Sequence, residues 1–137
     1  MLRRFASGYF AGAVAACVAS LALWIAGRAD LTAAIGVKIA PHLTWAWLAP
    51  RVLAGSLWGL ALPLALRRGA RPVRAGLALS LLPALAALFY FLPQAGHGML
   101  GRDLGTLTPL VVLAESALWG WLLALVAGRV GLGAGSG

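Results

Sequence analysis

The feature that most limits the fold of this chain is a series of long apolar runs that carry almost no charge. Charged residues make up 10% of the 137 residues and hydrophobic residues 62%, whereas charged residues are about 25% of an ordinary soluble domain. A soluble domain of this size would lack the polar residues that its surface needs. We therefore expect a single integral membrane domain over residues 1–137, with no soluble domain.

Four membrane spans follow from the limits of these runs. A helix needs about 20 mostly apolar residues to cross a bilayer, and each run comes close to that length. The strands of a membrane barrel would be shorter and would alternate polar with apolar residues, which these runs do not do. The sequence predicts an all-α bundle of four transmembrane helices, at about residues 5–27, 44–66, 75–92 and 107–128.

Basic residues are divided unevenly between the two sides of such a bundle. The side with both termini and the second connection has seven of them, and the other side has three. The seven are Arg3, Arg4, Arg67, Arg68, Arg71, Arg74 and Arg129, and the three are Arg28, Lys38 and Arg102. Because Lys and Arg are enriched in cytoplasmic connections, we expect a multi-pass protein of a bacterial inner membrane with both termini in the cytoplasm.

The formal net charge of +8 would indicate nucleic-acid binding in a soluble domain. Here the densest basic cluster, residues 67–74, lies in a short connection between two apolar runs. Basic residues in such a connection set the topology and contact anionic headgroups. We expect the lipid bilayer to be the partner of this cluster, and we expect no nucleic acid to bind.

The chain has a single cysteine, Cys17. It therefore has no intramolecular disulfide, no CxxC redox pair and no cysteine zinc site. The segment Val14-Ala15-Ala16-Cys17 fits a bacterial lipoprotein signal, but the residues after Cys17 stay apolar where a polar tether normally follows. We interpret Cys17 as a small side chain inside the first span, and lipidation of this residue stays open.

Small residues recur at every fourth position in the spans. Such ridges let helix backbones approach closely, which is how helices associate in lipid. The ridges are Gly8, Gly12, Ala16 and Ser20; Gly55 and Gly59; Gly76, Ser80 and Ala84; and Ser116, Gly120, Ala124 and Gly128. They predict a compact bundle. Any ridge that is not used for packing within the bundle would pack against a partner or a second copy.

A weak internal similarity pairs the second span with the fourth. Residues 52–59 (VLAGSLWG) resemble residues 112–120 (VLAESALWG), with one residue inserted. This suggests a duplicated two-helix hairpin with both copies running in the same direction, although compositional bias could produce the likeness by itself. Pro63 and Pro83 each remove one helical hydrogen bond and are expected to weaken or kink their spans.

Two ionisable residues, Arg51 and Glu115, lie within spans, where an unpaired charge costs several kcal/mol. Arg51 is 16 residues before Arg67, and Glu115 is 14 residues before Arg129. At about 1.5 Å per residue their depths differ by about 3 Å. We predict an Arg51–Glu115 ion pair in the outer half of the bundle. It would lock the second and fourth helices together or form a polar site for an anion or a proton, unless Arg51 simply extends to the headgroups.

The first outer connection, residues 29–42, has apolar residues at helical spacing. Leu31, Ala34, Ile35 and Ile39 would share one face, with Thr32 and Lys38 off it. We expect a short helix lying on the outer membrane surface and ending at Pro41.

The last connection, residues 93–106, is rich in glycine and contains a GxGxxG match. Dinucleotide binding needs this pattern between a strand and a helix of a βαβ unit, whereas here it joins two membrane helices. We predict a tight turn or partly re-entrant loop in which glycines supply positive φ. The candidate outer-loop residues are Gly96, His97, Gly98, Gly101, Arg102 and Asp103.

Several segments between residues 51 and 120 resemble small four-helix inner-membrane proteins of bacteria, loosely the YagU-like proteins. The segments are Arg51 with 57–59 (LWG), 79–83 (LSLLP), 96–101 (GHGMLG), 104–109 (LGTLTP) and 118–120 (LWG). The resemblance covers about half of the chain. Because these families have no established activity, it implies a membrane location and a glycine-rich outer loop, and it brings no catalytic residue with it.

The sequence thus leaves two classes of function open. The first is a non-catalytic membrane component that packs as a homo-oligomer or with the subunits of a larger complex. The second is a small transporter or channel that uses the Arg51/Glu115 polar site. We expect no enzymatic activity, no cofactor and no metal, because His42 and His97 lie in connections and lack a cluster of accompanying ligands.

Overall fold

The protein is all-helical in the parts of the chain that its computed structural model describes, which are residues 2–39, 41–69 and 71–130. Four helical segments are long and apolar enough to cross a membrane: Leu2–Arg28, Trp45–Arg67, Pro72–Gln94 and Thr108–Arg129. Each agrees with its predicted span to within about one helical turn. The sequence prediction of an all-α protein with four helices long and apolar enough to span a membrane is therefore confirmed.

The first and fourth spans are single helices, α1 (Leu2–Arg28) and α7 (Thr108–Arg129). The second span consists of α3 (Trp45–Gly59) and α4 (Leu62–Arg67). The third consists of α5 (Pro72–Ala86), a π-helical turn (Ala87–Phe91) and the short α6 (Leu92–Gln94). The connections contain α2 (Leu31–Ala34) and a 3₁₀ segment (Met99–Leu104).

Both composite spans change their helical geometry near a proline. Pro63 cannot donate to the carbonyl of Gly59, and the second span breaks between Gly59 and Leu62. In the third span, the π-helical turn begins four residues after Pro83. Pro63 and Pro83 therefore lie next to the irregular points of their spans, as their missing N–H groups predict.

The helices pack in the order α3, α1, α7, α5. Helix α1 packs against α3 on one side and α7 on the other, and α5 packs against α7. The second and third spans meet chiefly through α4 and α5, near the connection that joins them. Large apolar side chains remain exposed on every span, among them Phe10, Leu53, Leu81 and Leu110. These outward faces are the surface that lipid or a partner would cover.

Glycines make the closest contacts between helices. A Cβ on Gly12 would overlap the carbonyl oxygen of Gly55, and a Cβ on Gly8 would lie 2.7 Å from the carbonyl oxygen of Gly59. At the α5–α7 crossing, a Cβ on Gly76 would overlap the carbonyl oxygen of Gly120. Lipid removes the hydrophobic drive between helices, so this close approach supplies the van der Waals contact that holds them together. Gly128 faces open space.

The two hairpins use the same packing scheme. In the first hairpin Gly59 packs on Gly8 and Gly12, which are one helical turn apart in α1. In the second, Gly120 packs on Gly76 and Ser80, which are one turn apart in α5. Gly59 and Gly120 are also the residues that the internal sequence similarity aligns. The arrangement is therefore what a duplicated hairpin would produce.

The helix in the connection between the first and second spans is shorter than the sequence predicts. It covers Leu31–Ala34 and does not reach Pro41. Gly36 has a φ of +77°, the N–H of Val37 donates to the carbonyl of Thr32, and the N–H of Gly36 donates to that of Ala33. This is a Schellman motif, which ends a helix wherever glycine takes the left-handed conformation. The prediction from the apolar spacing of residues 31–39 did not include this stop signal.

The connection between the first and second spans is joined to the connection between the third and fourth. The N–H of Lys38 donates to the carbonyl of Leu104 over 2.7 Å, and a Cβ on Gly105 would overlap the carbonyl oxygen of Gly36. The side-chain hydroxyl of Thr32 donates to the carbonyl of Ile39 over 2.8 Å. Together these contacts form one compact cap over this end of the bundle.

The glycine contacts predict that alanine substitutions at two positions of α7 differ strongly in their effect on stability. In Gly120→Ala the new methyl group meets the backbone of Gly76, so the free energy of unfolding should fall by about 1–3 kcal/mol. The matched substitution Gly128→Ala meets nothing, and stability should stay the same or rise slightly because alanine favours the helix. Unfolding by SDS titration in mixed micelles measures both, and an equal response of the two variants would contradict the packing.

Candidate intramembrane polar site

Arg51 of α3 and Glu115 of α7 form an ion pair, joining Nη2 of the arginine to Oε1 of the glutamate. The two helices run in the same direction and flank α1. The pair therefore joins two helices that are not neighbours in the main packing order. Opposite charges in this arrangement compensate each other in a region where either one alone would be costly.

Arg51 makes two further contacts. Its Nε donates to the hydroxyl oxygen of Ser20 in α1 over 2.9 Å, and Ser20 is buried. Its guanidinium carbon lies 4.9 Å from the ring centroid of Trp47, one turn earlier in α3, a cation–π distance. One side chain thus contacts residues of α1, α3 and α7 at the same level of the bundle.

Sequence reasoning did not assign Ser20 and Trp47 to this site. The four-residue spacing places Ser20 only on the small-residue ridge of α1. A signal for Trp47 was present, because residues four apart share a helix face. Ser20 had no such signal, since its contact with Arg51 depends on how α1 is placed against α3.

The ion pair is not sealed inside the bundle. The side chain of Arg51 is 32% exposed and that of Glu115 is 18% exposed. A pair that retains this access keeps part of its solvation if water or headgroups reach it, which lowers the desolvation cost of placing two charges in a membrane protein. The same access is what a ligand or proton would need.

Trp119 fills the core one helical turn after Glu115. It is 5% exposed, its indole N–H donates to the carbonyl of Gly12 over 3.3 Å, and a Cβ on Gly55 would lie 3.0 Å from the indole nitrogen. The glycine at position 55 of α3 therefore leaves room for the indole ring. On the C-terminal side of the pair, α7 therefore contacts α1 and α3 through an indole ring, and Leu123 continues this buried face.

The candidate outer-loop residues form a tight backbone structure, as their glycines predict. Gly96, Gly98 and Gly101 all have positive φ. The N–H of Asp103 donates to the carbonyl of His97 over 3.0 Å, which closes the loop. Arg102 and Asp103 are exposed and His97 is partly buried. Gly101 is buried, and a Cβ there would lie 2.7 Å from side-chain atoms of Leu92 and Thr108.

Metal ligands are not clustered in the described parts of the chain. No group of three or more His, Cys, Asp or Glu residues there is arranged to hold an ion. His42 is exposed. Cys17 is a free thiol in α1, partly buried. Away from the helix ends, the charged residues within the described spans are Arg51 and Glu115.

Comparison of the chain with protein-family models, with curated proteins and with solved structures finds no match. The resemblance to YagU-like proteins accordingly stays a prediction. Any functional conclusion has to come from the geometry of the bundle.

The Ser20 contact predicts unequal effects at two buried serines. Ser20→Ala removes the acceptor for a charged donor, and the free energy of unfolding should fall by about 1.5 kcal/mol. The hydroxyl of Ser56 donates only to the carbonyl of Val52 in its own helix, so Ser56→Ala should cost less than about 0.5 kcal/mol. SDS titration measures both. Equal losses would show that Ser20 is an ordinary packing residue.

Proposed function

We propose that this protein is a non-catalytic structural component of a bacterial inner membrane, which packs as a homo-oligomer or with the subunits of a larger complex. The observation that carries the proposal is that the charged side chains within the spans contact each other and neighbouring helices. Arg51 is engaged by Glu115, Ser20 and Trp47 at once. Such a network fixes the register of three helices.

A groove on the outward face of α1 and α3 supports packing against a partner helix. Its volume is about 330 Å³. Small residues at Ala13 and Ala49 leave room in it, and Trp45, which is 81% exposed, stands at one end. The other lining residues are Tyr9, Leu48, Val52, Leu53 and Ser56. An apolar concave surface on a membrane span suits the side chains of another helix.

The groove predicts how assembly responds to a bulky substitution. We expect the wild-type protein, purified in mild detergent, to be larger than one copy or to carry a stoichiometric foreign subunit, as measured by light scattering and mass spectrometry. Ala49→Trp fills the groove and should release the partner. Ala78→Trp, at an exposed alanine of α5, is the matched control and should leave assembly intact. A wild-type protein that is a single copy without a subunit contradicts the proposal.

A second candidate function is a small transporter or channel at the Arg51/Glu115 site. The observation in its favour is the partial exposure of both side chains. The variant with both charges removed, Arg51→Gln with Glu115→Gln, separates the two functions after reconstitution into liposomes. Loss of a proton or anion flux that the wild type shows, with assembly unchanged, would favour the transporter. A flux absent from wild type and variant alike would favour the structural component.

The proposed orientation places both termini and the connection between the second and third spans in the cytoplasm. The seven-to-three division of basic residues supports it. A single cysteine introduced at the exposed Thr106, in a Cys17→Ala background, should react with an impermeant maleimide added to intact spheroplasts. If labelling occurs only after the spheroplasts are lysed, the orientation is opposite to the one proposed.

A further inference from the structure

A second cavity lies at the opposite end of α1 from the N-terminus, between the end of the first span and the start of the second. Its volume is about 370 Å³, within the range of about 300–1,000 Å³ that is typical of small-molecule sites. The lining residues are Trp24, Gly27, Arg28, Pro41, His42 and Leu43. None of them belongs to the Arg51/Glu115 site or to the groove between α1 and α3.

The lining combines one permanent cation with apolar surface. The guanidinium carbon of Arg28 lies 5.7 Å from the ring centroid of Trp24, so the charge is placed beside the indole at the cavity wall. His42 adds a ring N–H donor. Acidic side chains are absent from the lining that the structure describes. This set of groups favours an anionic ligand and offers nothing to a ligand cation except the indole ring, which Arg28 already occupies.

The position of the cavity indicates where that anion comes from. Arg28 is in the last turn of the first span and Leu43 comes just before the second span. Both spans cross the membrane boundary here, at the level where Trp and Arg are enriched and where lipid phosphates lie. Trp24 and Leu43 provide an apolar wall for the glycerol and the first carbons of an acyl chain, while Arg28 suits the phosphate.

We propose that this cavity binds the headgroup of an anionic phospholipid, with Arg28 and His42 on the phosphate and Trp24 and Leu43 against the glycerol region. A free phosphate ion has the same chemistry at Arg28 and His42, but it would leave the apolar wall unused. The proposal rests on the membrane location of the protein and does not depend on any partner subunit.

Native mass spectrometry of the full chain in mild detergent tests the site. Phosphatidylglycerol and phosphatidylcholine are titrated separately, and the population with one bound lipid is measured. We expect phosphatidylglycerol to bind more tightly to the wild type. The double variant Arg28→Gln with His42→Gln should bind it about tenfold more weakly, because a charge-assisted hydrogen bond is lost. Arg102→Gln, at an exposed arginine of the other outer connection, should bind as the wild type does.

Three results would overturn the proposal. The wild type could bind both lipids equally, or Arg102→Gln could weaken binding as much as the double variant does. In the third case, inorganic phosphate at millimolar concentration would displace phosphatidylglycerol, which would identify a free-phosphate site instead. Thermal unfolding of each variant shows whether it is folded. If the double variant is unfolded, the single variant His42→Gln replaces it and must weaken phosphatidylglycerol binding relative to Arg102→Gln for the proposal to stand.

Discussion

Helices in a bilayer gain little from hiding apolar side chains from one another, because lipid is just as apolar. The bundle therefore depends on two other interactions, close backbone contact at glycines and one partly exposed ionic network. Gly12 on Gly55 and Gly76 on Gly120 each join the two helices of a hairpin. Arg51 then reaches from the first hairpin to Glu115 of the second and contacts Ser20 on the helix between them. The glycines build the two halves, and the arginine fixes one half against the other.

The sequence predicted the parts of this arrangement that depend on periodicity and depth. The limits of the apolar runs predicted four spans, and the similar depths of Arg51 and Glu115 predicted that the two residues could meet. It did not predict the early end of α2, which depends on the left-handed backbone at Gly36. Nor did it predict the contact of Arg51 with Ser20 or the cavity beside Arg28, because both depend on how separate segments are placed in space.

The surroundings of the ion pair favour a structural role over a conducting one. Trp119 follows Glu115 by one turn of α7, donates to the carbonyl of Gly12 and lies against Gly55. A proton or ion that reached the pair from the N-terminal end of α7 would next meet an indole ring and the buried Leu123. Movement of α7 against α1 would break the hydrogen bond from Trp119 to the carbonyl of Gly12.

The central claim is that Arg51 and Glu115 stabilise the bundle as a pair. A double-mutant cycle of Arg51→Gln and Glu115→Gln, measured as the free energy of unfolding by SDS titration, tests it most directly. Each single change leaves one charge without its partner and should cost up to about 3–5 kcal/mol, less whatever Arg51 recovers by extending towards the headgroups. The double variant should lose much less stability than the sum of the two single losses. Strict additivity would contradict it.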